Sequence, residues 1–438
     1  MQACGYVLAA KGRVAVESIV ASSNVDRRAL VSLFARLRRS EGQANPLPIY
    51  DQLRSLGEVI PAPWGGHLVT SYRLCRSILR DKSWRVPDRQ WRASQTGSSR
   101  WNSAASFQMA STLPMLNPPL HTQTREILGS VFHKGLIPQL SSSVQKTVDR
   151  LLDQFFEELR QGPADFVKSV GEELPVIAIG EWLGLPSSDY GLLRTLTHDQ
   201  VFTQELFPSA TELSLSDAAT AGLRSYFSAL INDRRENPGT DPISNWLRIW
   251  DERERDRATV DEAVHAMAMF MILAALETTS HVLSAVLRLV LDHRAQEDAL
   301  RRLPHLIPDA VEEALRYDPP IHMMSRVAGT ATDLGGIRVP AGGMVQLMVG
   351  AAHHDPTQWT DAHRFDVRRR QTKTAGPPHL SFGAGIHYCL GSQLARLEAT
   401  VLLRSLLKRP GHLRISAPVQ WASRIAFRRT TSLELVLE

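Results

Sequence analysis

The stretch from His379 to Arg396 sets one cysteine, Cys389, among Phe382, Gly383, Gly385, His387 and Gly391. A helical pattern follows at once, with Leu390, Leu394, Leu397, Val401, Leu402 and Leu406 at spacings of three and four. The cysteine therefore sits at or just before a helix start, where unpaired backbone N–H groups and the helix dipole favour negative charge. Such a setting is expected to lower a thiol pKa and hold a thiolate. The upstream glycines let backbone fold tightly and bring amides to the sulfur. A thiolate with no second cysteine nearby has the chemistry of an axial ligand to a haem iron that activates oxygen. Two other readings compete: a small buried hydrophobe, or a nucleophile, for which no Asp or Glu accompanies His387 to orient it as a base.

Phe382-x-x-Gly385-x-His387-x-Cys389-x-Gly391 fixes several positions within ten residues, and with it the chain resembles the cytochrome P450 family of haem-thiolate monooxygenases. The resemblance covers roughly residues 45–438. It implies a mainly α fold with minor β-sheets and a long central helix over a buried haem. It implies that Cys389 ligates the iron, that Phe382 packs against the thiolate side, and that His387 and His379 face a haem propionate.

The elements that must position this chemistry can be read outward from the cysteine. The most apolar helix pattern runs from about Val260 to Asp292, on the order of 50 Å at 1.5 Å per residue. Thr259-Val-Asp-Glu262 reads as its capping box, and His293 and Arg294 suit its negative end. Nearly every face of its middle is apolar, so it must run through the core. There Ala274-Ala-Leu-Glu277-Thr278-Thr279 places a carboxylate beside two hydroxyls, which is costly unless partners satisfy it. A threonine bonding back to its own helix would explain Thr279 alone. The family has small-Gly-x-acid-Thr here, so the resemblance assigns Glu277 and Thr278 to oxygen binding and proton delivery, with Ala274 against the haem. Ala275 stands at the family's usual glycine.

His121 and Arg125 follow Asn117-Pro-Pro, read as a first helical turn, and share one helix face. Spacing alone fits a solvated surface; the family uses His-x-x-x-Arg for a propionate, and likewise an arginine where Arg326 opens a short strand. Glu313 and Arg316 sit one turn apart ahead of a double proline and match the family's structural Glu-x-x-Arg, with Arg364 expected as third member. His353-His354-Asp355 reads as scaffold, since neighbours on an extended chain point apart. Strands are expected at 58–61, 67–70, 336–340, 344–349, 413–415, 425–427 and 433–437. The segment Ser83–Thr112 lacks a period, and in the family this region roofs the substrate pocket. A weaker connection near Phe207–Asp217 moves as a lid in the family. Val201, Phe202, Leu206 and Phe207 are candidate lining.

The 438 residues fit one large domain at 45–438 behind an extension at 1–44, which holds a short amphipathic helix around Arg27–Arg39 and a polar break at Ser40–Ala44. A balance of 50 basic against 45 acidic residues, scattered rather than tracted, argues against nucleic acid and allows an acidic protein to dock. Three cysteines imply no disulfide framework and fit a cytoplasmic setting. The apolar run Ala263–Leu276 is shorter than a membrane span needs, so no membrane is expected. No flavin or iron–sulfur pattern occurs. The resemblance thus implies haem b, O2 as co-substrate, and electrons from NAD(P)H through a ferredoxin and ferredoxin reductase, for a small hydrophobic substrate of secondary metabolism. A peroxide-driven, desaturating or oxidative-coupling enzyme of the same fold stays open. A haem sensor or carrier is disfavoured by Glu277 and Thr278.

Overall fold

The computed structural model describes residues 26–95, 99–131, 136–372 and 375–438. The first part of the extension, including Cys4, lies outside them. The central helix runs Arg257–Leu291 and is buried on nearly every side through its middle. Its start differs from the sequence reading. Asp256 is the cap, accepting from the Thr259 backbone N–H at 3.2 Å and from its hydroxyl at 2.6 Å, while Glu262 instead pairs with Arg224 at 2.6 Å. An Asp one residue before the helix reaches the free amides more directly than the expected Thr259. At the other end His293 Nδ1 lies 2.8 Å from the Leu289 carbonyl. By length and composition this helix could cross a membrane, contrary to the reading of its shorter apolar core, but 78% of its most apolar window is buried by its neighbours.

Two apolar clusters meet along it. Its first half packs with helices Glu173–Leu183, Ala210–Glu236 and Pro242–Asp251. Its second half packs with Ile307–Tyr317 and with Ser392–Leu407, the helix that follows Cys389, and Leu136–Gln161 packs on the latter. Leu394, Val401, Leu402 and Leu406 are buried in that second cluster, as their spacing requires.

A five-stranded sheet flanks the helices: β1 Val59–Pro61, β2 His67–Val69, β3 Trp84–Arg85, β4 Met323–Ala328 and β5 Met344–Met348, in the order β1-β2-β5-β4-β3. Only β2 and β5 run parallel, and Arg326 stands opposite Val345 in the β4–β5 register. Leu413–Ile415, Glu434–Leu437 and Ala164–Asp165 form a second sheet. The expected strand at 425–427 is reduced to one bridge, Ile321 to Phe427, because the three amides of Ile425, Ala426 and Phe427 donate to the Glu205 carboxylate instead.

The aperiodic stretch 83–112 folds into short helices at Arg89–Ala93, Ser99–Asn102 and Ala104–Met109. The first and third are capped by Asp88 and Ser103. The connection expected over 207–217 is shorter, since helix Ala210–Glu236 begins with a full capping box between Ser209 and Glu212. The double proline at 118–119 precedes its helix, which runs Leu120–Val131. In the extension, Arg27–Arg38 is helical and buries Leu30, Leu33, Phe34 and Leu37 against Ile49, Tyr50, Leu53, Ile425 and Ala426. Ser40–Ala44, expected as a polar break, is a further helical turn.

Glu313 and Arg316 form a buried pair at 2.8 Å. The third member is Arg369, whose Nε lies 2.9 Å from Glu313 Oε1. Arg364 contributes only its backbone carbonyl, which accepts from Arg369 at 2.7 Å and Arg316 at 3.2 Å. The chain turns at Asp361, φ 49°, so that carbonyls of 360, 361 and 364 converge on the Arg369 guanidinium. His353 and His354 follow a helical turn at Val349–Ala352 rather than lying on extended chain, and both are buried. Their ring nitrogens meet the Leu380 amide and the Tyr317 and Ala362 carbonyls, which is a scaffold role.

Candidate active site

Between the central helix, strand β4 and the cysteine loop lies a cavity of about 340 Å³. The loop reaches it by two left-handed turns, at Gly383 (φ 67°) and Gly385 (φ 69°). A Cβ at Gly385 would stand 2.4 Å from the Leu79 carbonyl, so only glycine lets the loop press on helix Tyr72–Arg80. The Cys389 amide donates to the Phe382 carbonyl at 2.9 Å, closing the loop, and the sulfur faces the cavity. Cys389 is accessible from that space although it lies deep inside the protein.

Burial pushes the Cys389 thiol above its ordinary value. The Gly391 and Ser392 amides and the Arg125 and Arg396 guanidinium groups pull it down without overcoming burial. The expected depression is therefore not produced by the protein alone; coordination to a metal cation would itself remove the proton. Among the described residues no cluster of three or more His, Cys, Asp or Glu could hold a metal by itself. A lone sulfur ligand suits a metal whose remaining ligands arrive with a macrocycle.

The groups around the loop fit such a macrocycle's acid chains. Arg326 is buried, lowered to about 10 by burial, and donates only to the Ser325 carbonyl at 2.8 Å. No carboxylate among the described residues lies within ion-pair distance of it. Arg125 lines the cavity and donates to the Tyr388 carbonyl at 2.7 Å. The His121 and His387 rings stand 4.3 Å apart, and both nitrogens of His121 are buried with no hydrogen-bond partner among the described residues. Burial, then Arg125, lowers His121 to about 4; burial, then Arg326, His121 and Arg125, lowers His387 to about 3. Guanidinium groups without a carboxylate beside the unsatisfied imidazole of His121 suit anions. Phe382 lines the cavity with the Arg396 guanidinium 4.4 Å from its ring centre. His379 does not join this set. It lies outside the cavity lining, with Nε2 3.4 Å from Glu312 and its ring 5.6 Å from Phe382. The loop turns between 379 and 387, which puts the two histidines on different sides.

From the central helix, Ala274, Ala275, Glu277, Thr278 and Thr279 line the cavity. Thr278 Oγ1 donates back to the Ala274 carbonyl at 2.7 Å. The back-bond expected of Thr279 thus belongs to Thr278. Glu277 is clamped: Oε1 lies 2.5 Å from His198 Nδ1, and Oε2 3.1 Å from Arg424. Arg429 approaches within 3.5 Å, and Glu172 stands 3.4 Å from the other His198 nitrogen. Burial pushes Glu277 up, but Arg424, His198 and Arg429 together hold it at about 2. Burial lowers His198, and the two carboxylates outweigh it, so its pKa is raised. His198, Arg424 and Arg429 are 79 or more residues from Glu277 in sequence, so no spacing rule signals them. Of the four candidate lining residues near 201–207, only Val201 reaches the cavity. Phe202 lies under Arg424, Leu206 is buried against the Arg27–Arg38 helix, and Phe207 packs edge-on with Trp64.

The cytochrome P450 family model matches residues 205–410. The cytochrome P450 monooxygenase PikC of Streptomyces venezuelae is 34% identical over 371 residues, 84% of each chain. The chain belongs to the cytochrome P450 family. A polyketide biosynthesis P450, PksS of Bacillus subtilis, is 30% identical to this P450 and covers 93% of it and 95% of the relative. Among solved structures, P450BioI in complex with a hexadecenoic acid-ligated acyl carrier protein superimposes with a TM-score of 0.81 at 30% identity, covering 91% and 99% of the two chains. As a member of the family this P450 is a haem-dependent monooxygenase using O2. Its central helix remains α-helical through Ala275, which stands at the family's usual glycine.

Proposed function

We propose that this P450 inserts one oxygen atom into a small, largely hydrophobic secondary metabolite, using haem b and electrons passed from NAD(P)H through a ferredoxin reductase and a ferredoxin. The observation that carries the reading is one thiol facing a cavity beside two guanidinium groups and two imidazoles that form no ion pair among the described residues. The relative named for polyketide biosynthesis supports the substrate class. Haem on the Cys389 thiolate supplies the oxygen-activating redox centre, the balance being substrate-H, O2, two electrons and two protons to substrate-OH and water. Arg326 and Arg125, with His121 and His387, hold its two carboxylates, since leaving either unpaired inside protein is costly. Phe382 covers the sulfur side and Ala274 leaves room on the helix side.

Thr278 uses its proton on the Ala274 carbonyl, which leaves its oxygen free to accept a hydrogen bond from a water in the cavity. Glu277, held ionised, orients His198 rather than releasing a proton itself. His198 is the proton-bearing group in contact with the central helix acid, and the cavity's apolar lining keeps bulk water from the reacting centre.

The test is the absorption of the reduced, carbon monoxide-bound protein. Cys389→Ser is expected to lose the red-shifted thiolate band while Cys75→Ser, whose thiol is buried against the Val69 carbonyl, keeps it. The opposite pattern refutes the assignment.

A further inference from the structure

Four guanidinium groups line the cavity, those of Arg92, Arg100, Arg125 and Arg326, against two carboxyl groups, Glu277 and Glu398. Glu277 already has Arg424 at 3.1 Å, and haem's two carboxylates take Arg125 and Arg326 in the reading above. Arg92 is engaged by the Pro87 carbonyl and by both oxygens of Ser106. Arg100 is left. One of its N–H groups donates to the Leu206 carbonyl at 3.0 Å, and its Nε is shut off from solvent with no partner among the described residues. Glu205, the carboxylate whose charge reaches it, forms no ion pair with it and is bound to three backbone amides. Trp101 stacks beneath the guanidinium at 4.4 Å, with Arg92 at 5.2 Å from the same ring. A ring face helps hold a cation but does not neutralise it.

The chain that offers Leu206 to Arg100 also carries a second observation. Just before it, helix Tyr190–Gln200 and turn Val201–Gln204 face the cavity with Thr197, Gln200 and Thr203. Gln200 is 0% exposed, and neither its amide oxygen nor its nitrogen has a hydrogen-bond partner among the described residues. The Thr197 and Thr203 hydroxyls are equally unpartnered. Buried polar groups are almost always satisfied in a working structure, so a concentration of unsatisfied ones beside an unneutralised cation marks a ligand.

We propose that the Arg100–Gln200–Thr203 end of the cavity is a carboxylate-binding subsite, so that the substrate is an organic acid whose apolar body extends toward Cys389. This rests on the monooxygenase reading for the substrate's orientation. A carboxylate matches a guanidinium edge, and the Gln200 N–H and Thr203 O–H supply further donors. One guanidinium edge with these donors suits a monoanion, while the Nε and Nη1 groups of Arg92 already serve Pro87 and Ser106.

The test compares matched pairs on the haem-loaded protein: decanoic, dodecanoic and tetradecanoic acids with their methyl esters, and 1-naphthylacetic acid with its amide. Binding is read from the ligand-induced change in haem absorption and, independently, by calorimetry. The wild type is expected to bind at least one acid about 10-fold or more tighter than its neutral partner, the factor for a charge-assisted pair. Arg100→Gln is expected to remove that preference, leaving affinity for the neutral partner and haem content unchanged. Gln200→Leu, which keeps the cation, is expected to weaken the acid alone. If no acid outbinds its neutral partner in the wild type, or the preference survives Arg100→Gln, the subsite is refuted. It is also refuted if Arg100→Gln sheds haem, which would make Arg100 a propionate partner. Failure of the haem-thiolate reading shows separately, as a red-shifted band that survives Cys389→Ser, while calorimetry still reports acid preference.

Discussion

At the scale of single residues, the central-helix pair divides its work differently from what adjacency suggests. Glu277 rests ionised between Arg424, His198 and Arg429, whereas Thr278 has a fixed hydroxyl whose oxygen can accept a hydrogen bond from the cavity. The threonine is therefore the group whose loss should be felt as uncoupling. Thr278→Ala is expected to keep haem, substrate binding and NAD(P)H oxidation, yet release several-fold more hydrogen peroxide per NAD(P)H and correspondingly less product. Thr278→Ser, which keeps the hydroxyl, should restore most of the coupling. Unchanged coupling in Thr278→Ala would mean that another group orders the water.

At the scale of elements, the loop around Arg369 shows why a buried charge can fix register. Glu313 meets Arg316 and Arg369 from two directions, and the three side chains are almost fully buried. Removing Glu313 leaves two buried guanidinium groups without their anion, worth about 3–5 kcal/mol. Glu313→Gln should lower stability by about that amount in urea unfolding, while Arg73→Ala, from an exposed pair with Glu58, should change it by about 0.5 kcal/mol or less. Equal effects would deny the cluster its role. The same loop marks the limit of sequence reading. Glu313 and Arg316 were legible because they sit one turn apart, and Cys389 because glycines and a helix start surround it. Arg369 was not, since a turn with positive φ at Asp361 decides which arginine points inward and which lends a carbonyl. Helices with strong apolar periodicity were read to within a few residues, whereas the start of the central helix moved to Asp256 because a local cap competes within one turn. The clamp on Glu277 joins chain segments far apart, and no local pattern carries that information. Arg100 and Gln200 escaped for the same reason: an arginine in an aperiodic loop looks solvated until its surroundings are known.

At the scale of the whole molecule, buried charges divide into two groups with opposite pH dependence. Glu172, Glu277 and Glu312 are each held at about 2, and Asp318, between Arg428 at 2.6 Å and Arg288 at 2.8 Å, well below its ordinary value. In each, burial acts upward and the cationic partners overcome it. Their folded pKa values are depressed, so their contribution is complete above the unfolded values and is lost as pH falls through the folded ones. Glu398 is the reverse. It is buried on the helix after Cys389, one carboxyl oxygen has no hydrogen-bond partner, and burial alone raises it to about 8. Between its ordinary value near 4.5 and about 8 the unfolded chain has lost this proton and the folded chain keeps it. Folding then takes up a proton, so stability falls as pH rises through that window, and the full penalty, on the order of a few kcal/mol, applies above it. Glu398→Gln keeps the shape and removes the titration. Its melting temperature should match the wild type near pH 4, exceed it by a margin that widens through neutrality, and level off above about pH 8. A margin that is the same at pH 5 and pH 9 would show that Glu398 is ionised, and paired, in the folded protein.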